Sequence, residues 1–250
     1  MDERAAFVRE FWKDRGRRID DPRVATHFRN DEALDYDYSL ALKFCHSRAS
    51  VLDLGAGTCA LACLLAPHVK KIAAVDLSEE LLGKRALPPN ITPVVSDIRD
   101  FDSSETFDLV LIFGVLNYVF DEAELRSLIR KVARLTSPGG VCIIKHQAGV
   151  HETVLIDKYS EEIGGRYVCI YRHVEEELRL LREFFEVELV DIYPPRLNRW
   201  ENTHFYAYVC RPAARVREAS RAERRSTRLI GRVLQTGLRL GVPGCLGYAF

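Results

Sequence analysis

Between Ser50 and Lys145, five short apolar runs (Ser50 to Leu54, Lys71 to Val75, Ile91 to Val95, Phe107 to Phe113 and Val141 to Lys145) are separated by turns and stretches of helical period. Ala60 to Leu65 and Ser78 to Leu82 read as helices, the second with Ser78 as N-cap. Asp121 to Leu135 reads as a third, closed by the turn Ser137-Pro138-Gly139-Gly140. Strands that alternate with helices pair in parallel, because a parallel neighbour requires a crossover and the crossover helix covers one face of the sheet. The crossovers are right-handed. After the fifth run the alternation stops. Tyr167 to Tyr171 reads as a short extra strand, Val174 to Phe184 as a helix, and Val187 to Tyr193 and His204 to Cys210 as strands whose connection is too short for a crossover, hence antiparallel. Two helices, Arg4 to Trp12 and Glu32 to Phe44, lead the chain and are joined by a loop containing Asp21-Pro22. The expected fold is α/β: a doubly wound seven-stranded sheet, mostly parallel with an antiparallel C-terminal hairpin strand, and helices on both faces.

The composition, 47% hydrophobic and 29% charged over 250 residues, is that of a folded chain able to bury one substantial core. Its charge is zero overall but uneven: residues 211–250 hold nine arginines and two glutamates, which leaves the rest mildly acidic. Seven scattered cysteines form no CxxC pair, and reduced thiols in a cytoplasmic protein are expected. The acidic start Met1-Asp2-Glu3-Arg4 has no signal-peptide character, and no apolar run is long enough to span a bilayer.

The run Asp53-Leu54-Gly55-Ala56-Gly57 joins the first strand to a helix through glycines that let backbone approach a ligand at the C-terminal edge of the sheet. Such a loop, followed about 20 residues later by an acid, here Asp76, also describes a dinucleotide site. Asp53 separates the two readings. A carboxylate there repels a pyrophosphate, whereas S-adenosylmethionine (SAM) has no phosphate and carries two cationic groups.

Val51-Leu52-Asp53-Leu54-Gly55-Ala56-Gly57-Thr58 resembles the first signature of class I SAM-dependent methyltransferases. Ala74-Val75-Asp76-Leu77-Ser78 resembles the second, Ser96-Asp97-Ile98 the third, and Phe107-Asp108-Leu109-Val110 leading into Phe113-Gly114-Val115-Leu116 the fourth. Leu135-Thr136-Ser137-Pro138-Gly139-Gly140 looks like the family's turn before strand five. The matches keep the family's order over roughly residues 50 to 210. The departure is at Cys59, where the family often has a third glycine. The resemblance implies SAM as cofactor, with Asp53, Gly55, Ala56, Gly57 and Thr58 around its methionine part. Asp76 and Leu77 would meet the ribose and adenine, Asp97 and Ile98 the adenine edge, and Phe113 and Gly114 the floor near the sulfur.

Methyl transfer is an in-line displacement that alignment and exclusion of water can drive. A hydroxyl acceptor is also helped by a general base, and His146, read as just past strand five on the ligand edge, is the candidate. Asn117 and Tyr118 after strand four, Tyr36 and Tyr38 before strand one, and His151 after strand five are expected to line the acceptor site. Lys145-His146 does not supply the clustered acids of a metal-dependent enzyme, so no metal is expected. The fourth signature lacks the Asn/Asp-Pro-Pro-aromatic tetrapeptide of base-methylating enzymes. DNA is therefore not the expected substrate, and a small molecule such as a sugar, natural product or lipid-linked precursor is the expected acceptor. The domain reading is 1–48 as N-terminal helices covering the active site, 49–211 as the SAM-binding core and 212–250 as a basic amphipathic tail. Leu229, Ile230, Val233, Leu234 and Leu238 share one face of that tail among arginines, which suits the protein's own body, a second copy in a homodimer, the inner membrane surface or RNA. The alternatives are an RNA- or protein-directed methyltransferase using the tail, and a catalytically idle scaffold.

Overall fold

The computed structural model describes residues 3–26, 31–161, 163–198 and 200–214. The expected tail helix, with its membrane, RNA and subunit readings, lies outside the described residues. No described helix is long and apolar enough to cross a membrane.

Three helices lead the chain where the sequence implied two: α1 (Glu3–Arg18), the single turn α2 (Pro22–Ala25) and α3 (Asp31–Leu42). The added turn arises at Asp21-Pro22. Asp21 accepts from the Arg23 N–H as an N-cap, and Pro22 occupies the first turn, where its missing N–H costs nothing. The core then alternates β1 (Ser50–Leu54), α4 (Ala60–Leu65), β2 (Lys71–Asp76), α5 (Glu79–Leu82), β3 (Ile91–Val95), β4 (Phe107–Phe113), α6 (Glu122–Leu135) and β5 (Thr136–Gly149). Ser78 caps α5 by accepting from the Leu81 N–H, and Asp121 caps α6 by accepting from the Glu124 N–H.

Beyond β5 come β6 (Val154–Ser160), β7 (Gly165–Tyr171), α7 (Val174–Leu181), β8 (Phe185–Asp191) and β9 (Thr203–Pro212). The seven-stranded sheet has the order β3-β2-β1-β4-β5-β9-β8, parallel from β3 to β5. β9 is antiparallel to both β5 and β8. β6 and β7 form a separate antiparallel hairpin. Its first strand escaped the sequence reading because it lies on the surface: Leu155 and Tyr159 are exposed, so no buried face marks it.

Alternation along the strands assigns the two faces. Val51, Leu109, Leu111, Val141 and Ile143 share one cluster with Leu40 and Ala41 of α3 and Leu61, Ala62 and Leu65 of α4. Their neighbours Leu52, Val110, Ile112, Cys142 and Ile144, all fully buried, point the other way, where α6 packs on β4 and β5. Fully burying a side chain of this size stabilises by about 1.5–3 kcal/mol, so the two faces together hold the sheet ends in a fixed relation.

One boundary matters for the site. β5 runs four residues further than its apolar run, because β9 pairs with it as far as Gly149↔Thr203. His146 therefore lies inside the strand, opposite Tyr206, and not past its end.

Candidate functional site

A cavity of about 660 Å³ opens at the C-terminal ends of β1, β2, β4 and β5, the edge where open α/β sheets take ligands. Asp53, Gly55, Ala56, Gly57, Thr58, Asp76, Leu77, Asp97, Ile98, Phe113 and Gly114 all line it. The loop after β1 reaches this place by folding back on β2: the Gly55 and Ala56 N–H groups donate to the Val75 carbonyl at 2.8 and 2.9 Å. That path needs left-handed backbone at Gly55 (φ +82) and Gly57 (φ +53). A Cβ on Gly55 would lie 2.2 Å from Cγ2 of Val115. Cys59 also takes a left-handed φ of 57 at the start of α4, which gives the resemblance's missing third glycine a physical meaning. Cys59 accepts a backbone strain of about 1–2 kcal/mol that glycine would not bear.

Two carboxylates set the charge. Asp76 accepts from the Gly57 N–H at 2.8 Å and the Ser78 N–H at 2.9 Å, which leaves further lone pairs for a ligand's hydroxyls. Burial outweighs these bonds and raises its pKa. Asp53 is buried and pairs with no basic side chain among the described residues; burial, then the charge of Asp76, push its pKa up to about 7. An acid held this way gains most from a cationic ligand. A diol for Asp76, an ammonium for Asp53 and backbone amides between them match the groups of SAM, whereas a pyrophosphate would face two acids.

Asp97, which lines the cavity as expected, also has basic partners. Its carboxylate takes the Arg99 Nε at 2.7 Å and the Arg99 Nη2, and Arg9 of α1 lies 3.2 Å away. Burial opposes its ionisation, but the bonds from Arg99 and the charges of Arg99 and Arg9 outweigh it and hold the carboxyl below its usual range. Its charge serves to bind those arginines, and Ile98 is the buried apolar wall beside it.

The expected acceptor residues divide. Asn117 and Tyr118 line the cavity on a 3₁₀ turn, which Arg172 holds by donating to the Leu116 and Val119 carbonyls. Tyr36, Tyr38 and His151 lie outside it. On α3 it is Asp37 that faces the cavity, so its neighbours, about 100° around the helix, turn away. Tyr36 packs against the Tyr193 ring and Tyr38 bonds His68 at 3.0 Å. His151 is exposed in the turn before β6.

The sequence reading missed three groups. Lys145 of β5 is buried, 2.8 Å from Asp37, and donates to the Tyr193 hydroxyl at 3.0 Å, while Tyr193 donates to Asp37 at 2.7 Å. Burial opposes the lysine's charge, but Asp37 and Tyr193 raise its pKa well above the usual range. Trp12 of α1 stacks edge-on against Tyr118, whose hydroxyl lies 3.3 Å from that of Tyr167 on β7; with Tyr171 they make an aromatic wall. The third group surrounds His146. It is 2% exposed and lines the cavity, and its Nε2 lies 2.8 and 2.9 Å from the two oxygens of Glu177 on α7. Tyr208 donates to the same carboxylate at 2.5 Å.

Residues 51–140 match a family described as a methyltransferase domain. Nodulation protein S of Rhizobium tropici is 34% identical over 96 residues, 37% of this chain and 40% of that protein. A dTDP-4-amino-2,3,4,6-tetradeoxy-D-glucose N,N-dimethyltransferase of Saccharopolyspora spinosa is 35% identical over 165 residues, 58% of this chain and 65% of that protein. The chain thus spans between two fifths and two thirds of the length of these relatives. The crystal structure of a Burkholderia thailandensis 1,6-didemethyltoxoflavin N1-methyltransferase, with its substrate and S-adenosylhomocysteine bound, superposes with a TM-score of 0.61 at 19% identity, covering 84% of this chain and 87% of that one. This last likeness shows the fold.

Proposed function

From a chain that carries a class I SAM-dependent methyltransferase domain, we propose an enzyme that moves the methyl group of SAM to a nitrogen or oxygen of a small molecule. The observation that carries this reading is Asp53, a buried carboxylate on the cavity wall, unpaired by any basic side chain among the described residues and held near pH 7 by burial and Asp76. When bound, SAM supplies an electrophilic methyl group on a cationic sulfur. The chain's own part is to hold that cation between Asp53, the Gly55–Gly57 loop and Asp76, with Phe113 and Gly114 as the floor. Gly114 keeps this floor low: a Cβ there would meet no atom of the described residues within 4 Å. The aromatic wall of Trp12, Tyr118 and Tyr167 shuts out water and orients the acceptor, and His146 takes the acceptor's proton.

One relative supports the acceptor class, since its name describes methylation of an amino sugar. No observation on the described residues favours an RNA- or protein-directed enzyme or an idle scaffold. Thermal shift tests the reading, because a ligand that binds only the folded state raises the melting temperature. SAM and S-adenosylhomocysteine are expected to raise it and NAD to leave it unchanged. No shift with SAM at saturation would overturn the reading.

A further inference from the structure

Two buried polar atoms on cavity-lining residues have no partner among the described residues: Oδ1 of Asn117 and Nδ1 of His146. Both side chains are over nine-tenths buried, at 6% and 2% exposure. Each is fixed in direction by its other end. Asn117 donates through Nδ2 to the carbonyl of Gln147, the residue after His146, so its oxygen is the free end. His146 faces Glu177 through Nε2. Tyr208 gives its only hydroxyl hydrogen to that carboxylate, and the carboxylate accepts from both, so the ring proton sits on Nε2 and Nδ1 presents a bare lone pair.

We propose that this pair receives the two N–H groups of an amine, so that the acceptor is a primary amine and Glu177 and Tyr208 are positioning residues that keep His146 in the proton-accepting tautomer. A neutral primary amine has two hydrogens and one lone pair. With the hydrogens on Asn117 Oδ1 and His146 Nδ1, the lone pair is left for the methyl carbon. A hydroxyl has a single hydrogen and leaves one buried acceptor unmatched, at a cost of about ten- to a hundredfold in selectivity. As the nitrogen–carbon bond forms, the methyl–sulfur bond breaks with its electron pair on sulfur. The ammonium so made passes one proton to Nδ1, and the imidazolium stands against the Glu177 carboxylate. After one transfer the product keeps a single N–H, so a second methylation is slower than the first.

The inference rests on the methyltransferase reading, and its test separates the two. In full-length protein bound to S-adenosylhomocysteine, ¹⁵N-histidine spectra are expected to show His146 protonated at Nε2 and bare at Nδ1. In Glu177→Gln, whose amide can donate to Nε2, the proton is expected to move to Nδ1 while S-adenosylhomocysteine affinity stays within about twofold. A protonated Nδ1 in the wild type, or an unmoved proton in Glu177→Gln, would overturn the positioning role and leave the cofactor reading standing. For the acceptor, methyl-labelled SAM is incubated with a metabolite extract before and after its amines are N-acetylated. Labelling is expected to fall at least tenfold on acetylation, and in Asn117→Leu by about ten- to a hundredfold with cofactor binding retained. Labelling that survives acetylation would overturn the amine assignment, whereas absent S-adenosylhomocysteine binding in the wild type would sink the methyltransferase reading itself.

Discussion

At the scale of single residues, Asp53 links cofactor binding to pH. Its carboxyl is held to about 7 in the fold, by burial and then by Asp76, against 3.8 when unconfined. Below pH 7 it carries a proton that a cationic ligand must displace. SAM affinity measured by calorimetry is therefore expected to fall as pH drops through 7, by at most about tenfold per unit. The stability of the ligand-free protein runs the other way. Between about pH 4 and 7 the native state holds a proton that the unfolded chain has lost, so Asp53 makes stability decline as pH rises through that window. Asp53→Asn should accordingly melt higher than wild type at pH 8 without ligand, yet bind SAM about tenfold or more weakly. Loss of both properties would mean that the residue is structural only. This acid was legible in the sequence because it and the loop's glycines lie within one short run, Asp53 to Gly57. The pairing of Asp97 with Arg9 was not, since 88 residues separate its partners and no local pattern records them.

At the scale of elements, β5 connects the two faces of the site. Lys145 reaches α3 on one face and His146 reaches α7 on the other, because neighbouring strand residues point oppositely. Lys145→Met would strand the fully buried Asp37, and breaking such a pair costs about 3–5 kcal/mol, read from the denaturant midpoint. Asp37→Asn combined with Lys145→Met is expected to cost less than the two single changes added together, because each single change already includes the penalty of the abandoned partner. The strands from β1 to β4 were legible to within a residue, since each is an apolar run bounded by turns. The end of β5 was not, because the residues that extend it, His146 to Gly149, begin with the polar His146-Gln147 and become strand only through β9. The phase of α3 was hidden for a related reason. Tyr36 and Tyr38 flank Asp37 and look like the better pocket residues, but the buried carboxylate is drawn inward by a lysine 108 residues away.

For the whole molecule, the placement of β9 decides where the chain can be cut. It lies between β5 and β8 and is hydrogen-bonded to both, and its last pairing, Phe185↔Pro212, is followed by a bond from the Ala213 N–H to the Phe184 carbonyl. Every described residue lining the cavity falls between Ala5 and Phe205. A chain ending at Ala214 therefore keeps each of these pairings and every described residue of the cavity wall, and is expected to fold cooperatively and to bind SAM within about twofold of the full-length protein. A chain ending at Asn202 loses the strand that closes the sheet, leaving the inner edge of β5 and all of β8 with unpaired backbone groups, and is expected to show no cooperative melt. Weakened SAM binding in the longer truncation, with its melting temperature unchanged, would instead assign the residues after Ala214 to the site.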